Sequence, residues 1–235
     1  MINLSNRSYK KELLDNDGIP FADIQQNMKE LNTINKYLGG HKITTAGVHA
    51  LIAKHYSPDP VCICEIGCGG GDNLKAINDY CTSKNIPVNF IGIDIKGECI
   101  AFAKQQYPGL NSTWITSDYK QADLGDHKPD IIFSSLFCHH FNEPELIIML
   151  HWMKQNSSTG FFINDLQRHP LAYYSIKWMT KLFSRSYLVK NDAPLSVARG
   201  FIKQEWNEIF KKAGISNFFI KWKWAFRYLV ICRND

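Results

Sequence analysis

The stretch from residue 61 to residue 72, Val-Cys-Ile-Cys-Glu-Ile-Gly-Cys-Gly-Gly-Gly-Asp, constrains the fold more than any other part of the chain. Residues 61–66 read as a buried strand, because apolar side chains run almost unbroken and include β-branched members. Gly67, Gly69 and Gly71 then permit a turn that a Cβ would crowd, so the backbone can approach a ligand closely. Residues 73–78 look helical, with Asp72 placed to cap that helix. Strand, glycine turn and helix N-terminus together predict a cofactor cradle in an α/β protein.

The glycine spacing narrows the ligand. A dinucleotide fingerprint counted from Gly67 requires glycine at 72, where Asp72 stands, and counted from Gly69 it requires glycine at 74, which is Leu74. A nicotinamide-dependent dehydrogenase is therefore disfavoured. The pattern present is acidic-x-Gly-x-Gly-x-Gly, from Glu65 to Gly71, and it resembles the first motif of class I S-adenosylmethionine (SAM) dependent methyltransferases. A carboxylate at the end of the first strand suits a cationic amino-acid ligand and repels a pyrophosphate.

Later segments agree with that resemblance. Residues 88–94 form a second apolar run ending in Asp94, which either accepts both ribose hydroxyls or caps the helix expected over 97–107. A third run ends at Asp118 and Tyr119; in the family an acid here receives the adenine amino group and the next residue's backbone meets the ring, whereas an ordinary Ser-Asp turn is the plainer reading. Residues 129–141 read as strand four with its functional loop, and acids and glycines at successive strand ends form one crevice.

The resemblance covers about residues 61–165 and is similar to the small-molecule branch of ubiquinone, menaquinone and secondary-metabolite methylases, where a His-His pair commonly follows strand four. It implies a Rossmann-like α/β fold, seven-stranded and mostly parallel, with helices on both faces and the last strand antiparallel. The cofactor contacts it implies are Glu65, Gly67, Cys68, Gly69, Gly71, Asp94, Ile95, Asp118, Tyr119 and Ser134, with SAM as donor and S-adenosylhomocysteine (SAH) as product. The Asn/Asp-Pro-Pro-aromatic loop of nitrogen methylases is missing; Ser134-Ser135-Leu136-Phe137 stands there, which argues for an oxygen or carbon acceptor. A protein or RNA methylase and a SAM-binding but non-catalytic partner subunit are the alternatives.

With 235 residues, 45% of them hydrophobic, the chain can bury one sizeable core with some decoration. A formal charge of +5 without any long Lys/Arg block does not demand nucleic acid, and no nucleic-acid partner is expected. Seven cysteines and a polar start without a secretory leader point to a reducing cytoplasm. Cys62, Cys64 and Cys68 alternate along a buried strand without a Cys-x-x-Cys or matching His spacing, so they read as core and no metal is expected.

Residues 1–60 read as a helical cap, with Ile24, Met28, Leu31, Ile34 and Leu38 at helical spacing and a second helix over 44–55 leading to a turn at 57–60. Tyr37, Gly39, Gly40 and His41 are lid candidates, or simply a helix terminator with an exposed His. The rest, 61–235, is expected to be the methyltransferase domain, with an acceptor-side insertion at about 168–200. Within it, Leu171, Tyr174, Trp178 and Leu182 share one helical stripe and Ala172, Ile176, Met179 and Phe183 the next, with Lys177, Lys181 and Arg185 beyond. Core packing is the leading reading; an acceptor pocket for a greasy ring and a weak membrane-surface contact are the others. A helix over 203–213 and a terminal antiparallel hairpin follow, the hairpin reading of Trp222 and Trp224 outweighing single-stranded nucleic-acid binding.

SAM carries its own leaving group, so methyl transfer needs mainly alignment and exclusion of water. The acceptor must still lose a proton. His139 and His140 are the candidate bases facing the crevice, with Asp165 and His169 near the tip of strand five, although a His pair there can also serve only to pack against adenine or cap a helix.

Overall fold

The computed structural model describes residues 3–52, 59–125 and 128–234. Its centre is a seven-stranded sheet of β1 (Val61–Ile66), β2 (Val88–Asp94), β3 (Ser112–Thr116), β4 (Ile131–Ser135), β5 (Gly160–Leu166), β6 (Phe218–Lys223) and β7 (Arg227–Arg233), in the order β3-β2-β1-β4-β5-β7-β6. Strands β1 to β5 pair in parallel, and β7 enters antiparallel to both β5 and β6. The expected Rossmann-like architecture is present.

Strand alternation supplies a core on each face. Cys64, Ile66, Ile132, Phe161 and Ile163 face α5 (Glu143–Asn156) and α8 (Lys203–Lys212), where Leu146, Met149, Leu150, Met153, Trp206 and Phe210 meet them. Val61, Ile63, Ile131, Phe133 and Phe162 face the opposite layer, made by α2 (Gly40–Ile52) and α3 (Asp72–Ser83). Burial on both faces is why the parallel strands read as continuous apolar runs. Gly47 is in α2 because a Cβ there would lie 2.5 Å from the Phe162 ring.

The two α-helices before β1 pack in different places. Ile43, Val48 and Leu51 of α2 belong to the core under the sheet, while α1 (Phe21–Tyr37) packs on α4 (Gly97–Gln106) through Ile24, Met28, Cys99 and Phe102. Residues 53–58, where the second helix was expected to end and the connecting turn to begin, lie outside the described residues. The stretch from 168 to 200 folds as two packed helices, α6 (Pro170–Phe183) and α7 (Tyr187–Arg199). Their joint is clamped to α1 by Glu30, which accepts from the Ser184 hydroxyl and from the N–H groups of Arg185 and Ser186 at 2.9 and 3.1 Å.

Candidate active site

The strand order reverses between β1 and β4, and there the strand ends open onto a cavity of about 800 Å³, well within the size of ligand sites. The loop after β1 is its floor. Gly67 and Gly69 take φ of +68° and +50°, and a Cβ on Gly67 would stand 2.4 Å from the Phe137 ring, so the close approach requires glycine. Asp94 at the tip of β2 accepts from the N–H groups of Gly69 and Lys96 at 2.8 and 2.9 Å, tying two strand ends together. Asp118 accepts from the Lys120 N–H at 3.0 Å while also lining the cavity, so the turn and the site position coexist.

Of the residues expected from sequence, Gly67, Cys68, Gly69, Asp94, Ile95, Asp118, Tyr119, His139 and His140 line this cavity. Glu65, Gly71 and Ser134 do not. Glu65 is buried beneath the loop, with Oε1 accepting from Asn73 Nδ2 at 2.9 Å, and Asn73 is the residue that reaches the cavity. Gly71 makes room for Trp114, whose ring would lie 2.6 Å from a Cβ. Strand alternation turns Ser134 inward, its hydroxyl 3.2 Å from Cys138 Sγ, and presents Ser135 instead. Asp72 is the first residue of α3 and not its cap, which is Gly71; its carboxylate meets His41 Nε2 at 2.8 Å.

The rest of the cavity wall comes from parts of the chain distant in sequence. From α1 come Met28, Leu31 and Ile34, with Leu38 just after it; from α6, Ala172, Ile176 and Met179. Tyr37, Gly39, Gly40 and His41 are not in the lining. The two stripes of α6 therefore part: Ala172, Ile176 and Met179 face the cavity while Phe183 of the same stripe is exposed, and Leu171, Tyr174, Trp178 and Leu182 are exposed, which overturns the core reading of that stripe. His169 also leaves the site, capping α6 by accepting from the Leu171 N–H and stacking on Phe226.

The histidine pair sits in a short 3₁₀ turn, Cys138–His140, over this end. His139 is only 2% exposed. Its Nδ1 lies 2.8 Å from Asp165 Oδ1 and its Nε2 faces Glu12. Burial alone would lower its pKa, but the Asp165 and Glu12 carboxylates outweigh that and hold it pushed up to about 9. His139 is thus tied through Nδ1 to Asp165, which leaves Nε2 toward Glu12. His140 is more open, between Glu12 and Asp15.

A family model described as a methyltransferase domain matches residues 63–160. Residues 63–160 are a methyltransferase domain. Solved structures with the same fold include the plantazolicin methyltransferase BpumL in complex with SAH, with a TM-score of 0.63, 16% identity and coverage of 92% of this chain and 89% of that one. The magnesium protoporphyrin IX methyltransferase ChlM from Synechocystis PCC 6803 with bound SAH gives 0.56, 16%, 84% and 84%. Human N-acetylserotonin methyltransferase in complex with SAM gives 0.64, 15%, 92% and 56%. Curated protein sequences offer no match to the chain. The family-model match spans less than half of the chain, and the solved structures share the chain's fold.

The residues lining the cavity suit SAM. Asp72, Asp94 and Asp118 concentrate negative charge at the glycine-loop end, as a sulfonium with an ammonium group requires. Among the described residues, three buried polar atoms near this end have no partner: Glu65 Oε2, Asn27 Nδ2 and Arg227 Nη1. A carboxylate, an amide donor and a guanidinium donor are complementary to an amino-acid zwitterion. Arg227 was missed in the sequence because it lies 160 residues beyond the glycine loop, in a strand otherwise apolar; burial lowers its pKa to about 10. Glu12, Asp15, Arg7 and Arg199 were missed as well, since no motif surrounds them.

Proposed function

We propose that this methyltransferase moves the methyl group of SAM onto an oxygen or carbon of a small aromatic or lipophilic acceptor. The observation that supports this reading is the continuity of one cavity from an acidic, glycine-floored part to an apolar wall of α6. SAM supplies an electrophilic methyl on a sulfonium. Glu65, Asn27 and Arg227 would hold its amino-acid end, the glycine loop and Asp94 its middle, and Asp118 with Tyr119 the ring. The N-terminal segment, α6 and α7 exclude water from the reacting atoms, and His140 with Glu12 stands where an acceptor proton has to go.

We also assign the outer face of α6 to an anionic lipid surface, from which a lipophilic acceptor enters. Leu171, Trp178, Leu182 and Phe183 are exposed there beside Lys177, Lys181 and Arg185, a pairing of apolar face and basic margin that matches such a surface. No helix among the described residues is long and apolar enough to cross a membrane. Cys64, Cys68, Cys81, Cys99 and Cys138 are buried thiols of the core, the state a reducing, cytoplasmic setting maintains.

Calorimetric titration with SAM, SAH and NAD, followed by mass detection of methylated products from a panel of phenols and quinols, tests the main reading. SAM and SAH are expected to bind and at least one phenol or quinol to gain 14 mass units, the replacement of H by CH₃. NAD binding without SAM, or transfer confined to protein or RNA, overturns it. For the lipid contact, cosedimentation with vesicles rich in phosphatidylglycerol should exceed that with phosphatidylcholine alone and fall in Trp178→Ser; equal sedimentation removes it.

A further inference from the structure

Both histidines of the pair are oriented in a way that proton transfer alone does not require. His139 Nδ1 is fixed on Asp165 Oδ1 at 2.8 Å, which aims Nε2 at Glu12 Oε1, 3.5 Å away. His140 repeats the pattern with different partners, its Nδ1 facing Asp15 Oδ1 at 3.3 Å and its Nε2 facing Glu12 Oε2 at 3.7 Å. Glu12 therefore stands between two imidazole Nε2 atoms, one on each oxygen. It is 5% exposed and is itself oriented by the Ser196 hydroxyl, which donates to Oε1 at 2.7 Å.

The separations of 3.5 and 3.7 Å are long for hydrogen bonds. They match two donors that share a cation: ligands at about 2.1 Å from one ion stand about 3.4 Å apart at a tetrahedral angle. One donor atom from each of Glu12, His139 and His140 lies within 4.8 Å of the others.

We propose that Glu12, His139 and His140 form a binding site for a divalent first-row transition ion at the acceptor end of the cavity. Two imidazoles and one carboxylate select Zn²⁺, Fe²⁺ or Co²⁺ over Mg²⁺ and Ca²⁺, which prefer all-oxygen surroundings. Asp165, Asp15 and Ser196 form the outer layer that fixes ring orientation and carboxylate rotamer. The scaffold is held from behind as well. Arg199 donates to the carbonyls of His139 and His140 at 3.1 and 2.9 Å, and Arg7 donates to those of His139 and Phe141 at 3.2 and 3.0 Å. The turn next to Glu12 is anchored by Asp192, which accepts from the N–H groups of Leu13 and Leu14 at 2.8 and 3.0 Å.

All three donors line the cavity, so the remaining coordination positions face its interior. The ligand class that completes them is an acceptor oxygen, from a phenol, an adjacent diol or an enol. That last step rests on the reading of this end as the acceptor pocket, whereas the ion site itself does not.

The test uses the whole chain, stripped with a chelator and titrated with Co²⁺ in the absence of SAM and acceptor. One equivalent should bind with visible d–d bands, Zn²⁺ should displace it, and Glu12→Gln and His140→Ala should each weaken binding at least tenfold with circular dichroism unchanged. His151→Ala, on the exposed side of α5, should bind as wild type. Well under one equivalent, or undiminished binding in folded Glu12→Gln and His140→Ala, overturns the site. Adding a phenol that the enzyme methylates should shift the Co²⁺ bands; unshifted bands remove the acceptor-oxygen step and leave the ion site standing. A failure to methylate any phenol refutes the acceptor reading without touching the Co²⁺ result.

Discussion

Replacing Glu65 by Gln separates what the buried carboxyl does for the fold from what it does for the cofactor. Glu65 is fully buried; Oε1 accepts from Asn73, and Oε2 has no partner among the described residues. Burial, and then the nearby Asp72, push its pKa well above the usual carboxylate range. The folded chain therefore binds this proton more tightly than the unfolded chain. Its stabilising effect is present below the unfolded pKa of about 4.3 and is lost as pH rises toward the folded value. Gln keeps the bond from Asn73 and cannot ionise. At pH 4, below the unfolded value, the variant should match the parent within about 0.5 kcal/mol, the usual scatter of a near-neutral change.

At pH 8 it should be more stable by about 2 kcal/mol, the order of magnitude for relieving an unsatisfied buried group. In a domain of this length that raises Tm by about 4–8 °C. Cofactor affinity should move the other way. Losing a charge-assisted contact worth about 1.5–3 kcal/mol weakens SAM binding roughly tenfold to hundredfold. Differential scanning calorimetry at both pH values and calorimetric SAM titration read the two effects. A variant that is less stable than the parent at pH 8, with SAM affinity unchanged, would refute the assignment of Glu65 as an ionisable group held for the cofactor.

Other outcomes follow from single contacts. Gly67→Ala places a Cβ 2.4 Å from the Phe137 ring at φ of +68°, so urea unfolding should show a loss of about 2–4 kcal/mol, from the left-handed backbone and the forced repacking together. Gly47→Ala meets the Phe162 ring at 2.5 Å and should lower stability by about 1–3 kcal/mol while leaving SAM affinity within twofold, since the contact is under the sheet. Arg227→Gln should weaken SAM about tenfold, or about 1.4 kcal/mol. It should also abolish the parent's preference for SAM over decarboxylated SAM; a preserved preference would remove Arg227 from the carboxylate.

The glycine loop shows how far sequence reasoning reaches. A β-branched run, an acid and spaced glycines are contiguous, and the turn they encode is local, so cradle, sheet class and cofactor type are all legible between residues 61 and 72. Asp94, Asp118 and His139 were legible as cavity residues for a related reason: each lies at the end of, or within four residues after, a strand that the apolar pattern marks. Side-chain direction at the last position of a strand was not. Ser134 and Ser135 differ only by the pleat, and the register of β4 against β5 decides which one meets the cavity.

By itself, then, the sequence determined the α/β class, the strand ends that carry acids and the glycine floor, because those depend on backbone freedom and periodicity within a dozen residues. The tertiary structure alone decided the rest of the cavity lining. Glu12 reaches His139 across 127 residues, Arg199 reaches its carbonyl across 60, and Arg227 reaches Asn35 across 192. Contacts at such separations leave no period or spacing in the chain, and only the folding of α6, α7 and the N-terminal segment over the sheet converts scattered charges into one site.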